Sequence, residues 1–226
     1  MFKSKYSNFL TIILVITIIL IVVIAVVLGV RTYRKYKNTK DATDAIDRFD
    51  ENHNITIEKE EKENQVSGNQ NNDISEPAVI PKKENTPGTR KVTYYNNFVM
   101  LGYIEIPSIK IKYPILEKET VASLEKSVAV RYPNSPELNT VGNIVIAGHN
   151  YRNGMFFSNL KNVAIGDKIR ITDGNGQTLV YTIYEKYETT PEDAEYITRD
   201  VGENIEITLV TCTDDSKARI IVKARV

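Results

Sequence analysis

The longest apolar stretch of the chain lies close to its start and predicts a membrane-spanning helix. Residues 9–30 are 22 residues without a charge, and 18 of them are Leu, Ile, Val or Phe. As a helix this stretch would extend about 33 Å, which is enough to cross a bilayer. A cleavable signal peptide would have a shorter apolar core and a small-residue cleavage site, whereas Val30 leads directly into a basic segment. We therefore expect a short tail at 1–8 and an uncleaved single anchor at 9–30.

A polar segment at 31–97 separates the predicted anchor from the rest of the chain. Its first part, 31–63, is highly charged and could form a juxtamembrane helix, although it shows little apolar periodicity with which to pack. Its second part, 64–97, is rich in Asn, Gln, Glu, Pro, Ser and Gly, a composition that cannot bury a core. A flexible linker of this length spans about 30–35 Å root-mean-square, so we expect it to hold a folded domain away from the membrane.

The pattern from 98 to 226 is that of short β-strands and predicts one mainly β domain. Apolar positions alternate along four segments, at 102–106, 109–116, 205–209 and 218–224, and 143–147 is a short apolar run. The sequence Asp173-Gly174-Asn175-Gly176 separates two further strand-like segments and predicts a hairpin. Helical patterning is confined to 157–163 and, more weakly, 122–127. About eight short strands separated by turn residues indicate a closed barrel or a sandwich.

Composition narrows the chemistry available to this domain. The chain has 29 basic and 29 acidic residues, and a net charge of zero argues against a nucleic-acid binder that works by phosphate neutralisation. A single cysteine excludes an intramolecular disulfide and a cysteine-rich zinc site. Because there are only two histidines, a multi-histidine metal site is also excluded.

Cys212 and His149 are candidates for nucleophilic catalysis. Cys212 ends an apolar strand and precedes a polar loop, and His149 is the single histidine of the domain and follows the strand at 143–147. A thiol with a pKa of about 8.5 is mostly protonated at neutral pH, and an imidazole within reach can exchange its proton. Residues at the ends of barrel strands meet at one rim, so the two side chains could lie together. Taken alone, however, a lone cysteine is more often a small buried hydrophobe, and a loop histidine more often bonds to the backbone.

Acyl transfer also needs a donor for the developing oxyanion, which contributes about 2.7–4 kcal/mol, and Arg219 is the first candidate. It lies at the start of the last strand, and its parity is opposite to that of Ile220 and Val222, which we expect to face the core. Arg219 could therefore face the same groove as Cys212. Arg225 shares its parity and is the second candidate, and a solvated surface charge is the ordinary role of an arginine at such a position.

These residues resemble the motifs of the sortase family. The segment Thr208-Leu209-Val210-Thr211-Cys212 is similar to the family's Thr-Leu-x-Thr-Cys signature, and Ala147-Gly148-His149 is similar to its small-Gly-His segment. Further pieces fit the family's pattern in the same order, namely Gly102–Pro107, Gly142-Asn143, Phe157 with Leu160, and Gly166-Asp167. The ordered set covers residues 98–226, and the anchor with its linker also resembles sortase architecture.

The resemblance implies a closed eight-stranded β-barrel with one or two short helices, and a cysteine transpeptidase on the outer face of a Gram-positive membrane. In this interpretation Cys212 attacks the Thr carbonyl of a Leu-Pro-x-Thr-Gly-like sorting signal and forms a thioacyl enzyme. His149 exchanges protons with the leaving and incoming amines, and Arg219 holds substrate and oxyanion. Ala147 and Thr211 would line the substrate groove. The implied partners are surface proteins that carry the signal and an amine acceptor, either a peptidoglycan precursor or a pilin lysine, and water would give slow hydrolysis.

Within the family, the resemblance is to compact members of the housekeeping or class D kind. The chain shows neither the Asp-Pro-aromatic lid motif nor the second apolar span of many pilin-polymerising members, and 187–203 is too short for the long helix of another branch. No cofactor is implied. Some relatives bind calcium through acidic loop residues, and a solvated acidic loop is the more common arrangement. The residues that could bind calcium here are Glu188, Glu192, Asp193 and Glu195.

Two alternatives stay open at the level of sequence. The first concerns orientation, because five cations at 31–40 follow the span, while two lysines and the terminal amine precede it. The positive-inside rule therefore places the body of the chain in the cytoplasm, whereas the resemblance requires an extracellular domain, where the basic segment could meet anionic head groups or wall polymer. The second concerns activity, because the same residues are compatible with a simple cysteine peptidase or with a non-catalytic, membrane-anchored β-barrel binding module.

Overall fold

The computed structural model describes residues 5–53, 92–132 and 137–226. Residues 54–91 lie outside the described residues, and they include most of the linker predicted at 64–97. Within them the elements are, in chain order, α1 (Lys5–Asn52), β1 (Thr93–Tyr95), β2 (Phe98–Ile106), β3 (Ile111–Leu116), α2 (Val121–Leu124), β4 (Val128–Tyr132), β5 (Gly142–Ala147), β6 (Lys168–Asp173), β7 (Thr178–Thr189), α3 (Glu195–Thr198), β8 (Ile205–Cys212) and β9 (Arg219–Arg225). Two single 3₁₀ turns lie at Pro107–Ile109 and Leu160–Asn162.

Eight of the strands form a closed barrel, which confirms the predicted fold class. Their hydrogen-bonded order is β2-β3-β4-β5-β8-β9-β7-β6, and β6 pairs back with β2 to close the sheet. The pairs β3–β4 and β5–β8 are parallel, and the others are antiparallel. Closure leaves the eight strands without the open edges through which sheets aggregate.

Alternation along the strands separates a barrel interior from an outer face. The interior is filled by every second residue of the central strands, among them Ile144, Ile146, Ile207, Leu209, Ile220 and Val222. The residues between them form a second buried cluster on the outer face, with Val145, Ala147, Val210 and Ile221 covered by Tyr196 of α3. Burial on both faces explains why 143–147 reads as a continuous apolar run rather than an alternating one.

The predicted hairpin at Asp173–Gly176 is present and joins β6 to β7. The Asp173 carboxylate accepts hydrogen bonds from the backbone N–H groups of Asn175 at 2.8 Å and Gln177 at 3.1 Å. Gly176 has a φ of +77°, a conformation that glycine adopts without a steric penalty. The local turn chemistry therefore determines the register of these two strands.

The short helices differ from the sequence-based expectation. The helical pattern at 157–163 corresponds to a single 3₁₀ turn, Leu160–Asn162, and the pattern at 122–127 corresponds to α2, which begins one residue earlier and ends at Leu124. One turn of helix at Glu195–Thr198 was not predicted. A helix of four residues is shorter than the window over which 3.6-residue periodicity can be detected.

The β domain begins earlier than residue 98, because β1 lies inside the segment predicted to be linker. Thr93 and Tyr95 are buried, and β1 pairs with the first residues of β2 through a two-residue turn at Asn96 and Asn97. Both asparagines have positive φ, at 48° and 68°, which is the requirement of a type I′ hairpin turn. The polar composition of 64–97 concealed this hairpin.

Helix α1 continues without a break from the predicted anchor into the charged segment. Its side chains from 9 to 30 are all exposed, and it is the one helix among the described residues that is long and apolar enough to cross a membrane. This fits the transmembrane anchor that the sequence predicts. The charged segment up to Asn52 is therefore part of the same rigid element.

The C-terminal end of α1 packs on the barrel. The predicted juxtamembrane helix is therefore present as far as Asn52, but the expectation that it has little apolar periodicity with which to pack is wrong. The buried positions repeat every three or four residues, at Ala42, Ala45, Ile46 and Phe49, which places them on one face of the helix. They contact buried residues of β1, β2 and β3. The barrel is thus attached directly to the helix that contains the predicted span, in addition to the chain that links them.

Asp50 is the one charged residue buried in this helix–barrel contact among the residues described. Its Oδ2 accepts a hydrogen bond from the Tyr103 hydroxyl at 3.5 Å, and its Oδ1 has no partner within the described structure. Burial raises the pKa of the Asp50 carboxyl above its ordinary value of 3.8, and the Tyr103 hydrogen bond opposes this shift. Docking therefore disfavours the charged form of this carboxyl.

Candidate active site

Strand register brings Cys212 and Arg219 together. Cys212 is the last residue of β8 and Arg219 the first of β9, and the two are directly opposite partners in this antiparallel pair. Such partners point to the same face with Cβ atoms about 4.5–5.5 Å apart. Both are partly exposed, so the thiol and the guanidinium can meet a ligand.

Arg225 lies at the other end of the same strand. It is the partner of Glu206 rather than of Cys212, and its guanidinium sits over the ring of Tyr184 at 5.1 Å from the centroid. Six residues of β-strand separate it from Arg219, which is about 20 Å. Of the two arginines considered from the sequence, Arg219 is therefore the one within reach of the thiol.

His149 follows β5 and lies level with Cys212. In the parallel pair β5–β8, Ala147 is the partner of Val210, and His149 and Cys212 each follow two residues later. The two strand ends remain joined beyond the ladder, because the Gly148 N–H donates to the Val210 carbonyl at 3.1 Å. The imidazole and the thiol thus sit at the ends of adjacent strands, both partly exposed.

The small-Gly-His segment packs closely against Phe157. A Cβ atom on Gly148 would lie 2.6 Å from Cδ2 of Phe157 and 2.9 Å from Cγ1 of Val128, so a larger residue would displace the ring or the strand. The Phe157 N–H also donates to the His149 carbonyl at 3.2 Å. These contacts explain why Gly148 has to lack a side chain when Phe157 packs against it.

Ala147 and Thr211, which the sequence assigned to the substrate groove, are both almost entirely buried. Ala147 belongs to the outer-face cluster, on the same side of the sheet as Cys212. Thr211 has the parity of the barrel interior, and its hydroxyl donates to the Gly148 carbonyl at 2.7 Å. Thr211 thus joins β8 to Gly148, the residue before His149. Contact of Ala147 or Thr211 with substrate stays a prediction.

Asn150, which no sequence motif pointed to, joins the strand ends that carry His149 and Cys212. Its Nδ2 donates to the Cys212 carbonyl at 2.9 Å and to Oδ1 of Asp214 at 2.9 Å. Lys161 forms an ion pair with the same carboxylate, and the bonds from Lys161 and Asn150 hold the pKa of Asp214 below its ordinary value. The only sequence signal was that polar residues directly follow His149 and Cys212.

Tyr151 adds an aromatic wall beside the histidine. Its ring centroid lies 5.0 Å from that of His149 and 5.8 Å from that of Phe156. Burial raises the pKa of the Tyr151 hydroxyl, and Glu125 adds to the shift, so this side chain remains a neutral hydrogen-bonding group at physiological pH. The rings limit the positions that the imidazole can adopt.

Helix α3 covers the outer-face cluster and is held by Asn143, the Asn of the Gly-Asn motif. Asn143 Nδ2 donates to the Tyr196 carbonyl at 3.1 Å, and its Oδ1 accepts from the Thr208 hydroxyl at 2.8 Å. A buried amide with partners on both sides fixes the position of α3 relative to β5 and β8. The position of α3 over the outer-face cluster is therefore fixed by these two hydrogen bonds.

The acidic loop does not assemble a calcium site. The Asp193 carboxylate accepts from the Thr189 hydroxyl at 2.7 Å and from the Glu195 N–H at 2.8 Å, so it serves the turn that leads into α3. Within the described parts of the chain, no three His, Cys, Asp or Glu side chains converge as metal ligands would. The residues considered for calcium do not fit such an ion, which needs six to eight oxygen ligands.

Comparison with known proteins places this arrangement in a family. The family model for the sortase domain matches residues 104–226, and the model of a family of unknown function matches residues 4–56. Sortase A of Bacillus anthracis is 33% identical over 126 residues, which is 54% of this chain and 58% of that protein. Sortase A of Staphylococcus aureus is 33% identical over 116 residues, 50% of this chain and 55% of that protein. The match thus spans a little over half the length of these curated relatives.

Solved structures show the same likeness. A D-type sortase transpeptidase from Clostridium perfringens superposes with a TM-score of 0.51 at 32% identity, covering 56% of this chain and 78% of that one. Sortase A from Corynebacterium diphtheriae has a TM-score of 0.51 at 32% identity, covering 57% of this chain and 61% of that one. The sortase model matches more than half of the chain and includes His149, Cys212 and Arg219. The chain belongs to the sortase family.

Proposed function

We propose that this protein is a membrane-anchored cysteine transpeptidase that cleaves a Leu-Pro-x-Thr-Gly-like sorting signal and transfers the carrier protein to an amine of the cell wall. The observation that carries the proposal is the register of β5, β8 and β9, which pairs Cys212 with Arg219 and brings the end of β5, just before His149, beside the end of β8. A thiol, a proton carrier and a planar cation are the groups that acyl transfer requires.

In the first half-reaction the Cys212 thiolate attacks the carbonyl carbon of the Thr–Gly bond. The oxyanion of the tetrahedral intermediate accepts hydrogen bonds from Arg219, whose guanidinium offers two parallel donors. His149 gives a proton to the glycine nitrogen as the C–N bond breaks, so the leaving group departs as a neutral amine. The product is a thioester between Cys212 and the Thr carbonyl.

In the second half-reaction an amine attacks the thioester. His149, now neutral, takes a proton from the amine, and the C–S bond breaks to return the Cys212 thiolate. Water in place of the amine gives hydrolysis. The new amide joins the Thr of the carrier protein to the acceptor, for which a peptidoglycan precursor and a pilin lysine are the two candidates.

The apolar residues of the sorting signal would lie beside the outer-face cluster. Ala147, Val210, Ile221 and Tyr196 are themselves buried, so the cluster supports the end of β8 that carries Cys212 from beneath. An extended peptide would contact the partly exposed residues around the thiol while its Thr carbonyl reaches Cys212. Ala147 is proposed to support the peptide from below, whereas Thr211 contributes through its bond to the adjacent Gly148.

We place the catalytic domain on the extracellular face, because sorting signals and wall amines are found there. Cell-impermeant labelling of Lys110, which lies in the exposed turn between β2 and β3, tests this orientation in intact cells. Labelling of whole cells equal to that of lysed cells supports it. Labelling that requires lysis would place the barrel in the cytoplasm, as the charge count predicts.

Intact-mass spectrometry of the full chain in detergent tests the chemistry. The protein is mixed with a small library of Leu-Pro-x-Thr-Gly peptides, with and without an amine acceptor. We expect a mass gain on the wild type that Cys212→Ala abolishes and that the amine converts into a ligated peptide. His149→Ala should nearly abolish the same reaction.

A matched pair of variants on β9 tests the assignment of the arginine. Arg219→Lys should lose much of the activity because an ammonium cannot reproduce the guanidinium fork, whereas Arg225→Lys, on the same strand, should keep it. Cleaved peptide that the amine never diverts would indicate a simple peptidase. A folded protein whose thiol reacts with a small alkylator but with no peptide would favour a non-catalytic binding module.

A further inference from the structure

A cavity of about 470 Å³ lies between α1 and the barrel, and we refer to it as the helix–barrel cavity. Arg31 and Arg34 of α1 line one side of it, and Glu125, Lys126 and Tyr151 of the barrel line the other. Three cations and one carboxylate therefore line this space. The cavity therefore favours an anion, and arginine pairs in particular suit the oxygens of a phosphate.

The basic side of the cavity lies on the docked face of the helix. Arg31, Arg34 and Asn38 continue the three- and four-residue spacing of the buried positions Ala42 and Phe49. Docking of the C-terminal end of α1 thus aims the two arginines at the barrel. Lys35, on the same face, approaches the loop after Tyr151, because its Nζ lies 3.2 Å from the position that a Cβ on Gly154 would occupy.

The cavity also lies at the depth of the lipid head groups. Arg31 directly follows the apolar run, and Arg34 lies about 6 Å beyond Val30 along the helix axis. The head-group layer is about 5–8 Å thick on each side of the hydrocarbon core. Tyr33 and Tyr36, each 66% exposed on the opposite side of the helix, suit this layer, because tyrosine is enriched at membrane interfaces.

We propose that the helix–barrel cavity binds the phosphate of an anionic phospholipid and thereby seats the barrel on the membrane surface. This inference rests on the membrane anchoring in the proposed function. The occupant follows from position and charge: a cationic cavity at head-group depth, open beside a transmembrane helix, meets lipid phosphate at a far higher local concentration than any soluble anion. Anionic head groups attract basic residues close to the surface.

The bound head group would lie beside the active site. Tyr151 lines the cavity, and the same ring contacts the ring of His149. A lipid held by Arg31 and Arg34 therefore orders the loop that carries the catalytic histidine and keeps the active site close to the bilayer. This gives the basic residues after the span a binding role that is independent of which side of the membrane they occupy.

Hydrogen exchange of the full chain in lipid nanodiscs tests the site. Amide exchange is measured over residues 150–156 in nanodiscs of phosphatidylcholine with increasing phosphatidylglycerol. We expect phosphatidylglycerol to slow exchange in the wild type. The double variant Arg31→Gln/Arg34→Gln should bind the head group about 30-fold more weakly, at about fivefold per basic residue, and should lose this protection.

The matched control is Lys37→Gln/Lys40→Gln, which removes the same charge from the outward side of the same helix and should keep the protection. Equal loss in both double variants would show diffuse surface attraction and overturn the proposal. Absence of protection in the wild type would also overturn it. Equal protection by inorganic phosphate in phosphatidylcholine nanodiscs would indicate a free-phosphate site and would overturn it as well. The readout does not involve turnover, and retention of the chain in the nanodisc reports separately on the anchor, so failure of the proposed function is distinguishable.

Discussion

Asn150 offers the sharpest test of how the active site is assembled. Its side chain is the direct link between the segment after His149 and the segment that ends in Cys212, through the 2.9 Å bond from Nδ2 to the Cys212 carbonyl. Asn150→Ala removes this donor from a partly buried acceptor. Leaving such an acceptor unpaired costs about 1–3 kcal/mol when it is buried, and we take about 1–1.5 kcal/mol because this one is only partly so. If the cost falls on the transition state, kcat drops about tenfold.

Asn150→Asp should be worse than Asn150→Ala, although aspartate has nearly the same shape. The substitution replaces both donated hydrogen bonds by an acceptor, and it sets a carboxylate against the Cys212 carbonyl and against Asp214, whose oxygen lies 2.9 Å from Nδ2 in the wild type. Like charges at this distance repel. Adding Asp214→Asn to this variant supplies an amide donor for the new carboxylate and should recover part of the activity.

The assay is steady-state cleavage of a sorting-signal peptide with an amine acceptor, together with thermal unfolding of each variant. A positioning role predicts a lower kcat, little change in KM and a melting temperature close to that of the wild type. A positioning role is excluded if Asn150→Asp retains more activity than Asn150→Ala, or if the added Asp214→Asn restores nothing. A fall in melting temperature that accounts for the lost activity would reduce Asn150 to a purely structural role.

Three further predictions follow from buried contacts. Thr211→Val keeps the side-chain shape but leaves the Gly148 carbonyl without its donor, so we expect a loss of about 1–3 kcal/mol in the free energy of unfolding, measured in denaturant. Phe49→Ala should weaken docking of α1 by about 3–5 kcal/mol and speed tryptic cleavage in the helix, whereas Thr43→Ala on the exposed side should not. Asp50→Asn should tighten docking at neutral pH, because the carboxyl pKa is raised by burial: docking is strongest below pH 3.8 and weakens as the pH rises through the raised value. Hydrogen exchange of the helix at several pH values measures this, and a gain from Asp50→Asn that persists in acid would contradict it.

Local patterns predicted much of the domain because they depend on neighbouring residues. The hairpin at Asp173–Gly176 was predicted because its turn requires particular residues at particular positions, and the barrel strands were predicted because alternation repeats every two residues. The hairpin at Asn96-Asn97 carries the same kind of signal but was assigned to the linker. Its polar surroundings outweighed the turn signal, and β1 has only three residues in which alternation could show.

The candidate site, too, was predictable from the sequence only in part. Cys212 and His149 were proposed from their positions at strand ends and from the family motif, and that assignment stays a prediction. Parity along β9 correctly set Arg219 and Arg225 apart from the core. Parity alone could not distinguish the two arginines, because both lie at positions of β9 that point away from the core. The choice needed the register of β8 against β9, and this register is a property of two strands joined by a loop.

The apolar span, the mainly β character of the domain and the kinds of chemical group present could be read along the chain, because periodicity and residue type are local. The folded structure was needed to show how α1 docks on the barrel, how Asn150 joins the two strand ends, and which cations line a common cavity. Each of these depends on which surfaces meet after the chain has closed loops of tens of residues. Such contacts leave little trace in a sequence read along its length, since the residues that form them are individually ordinary.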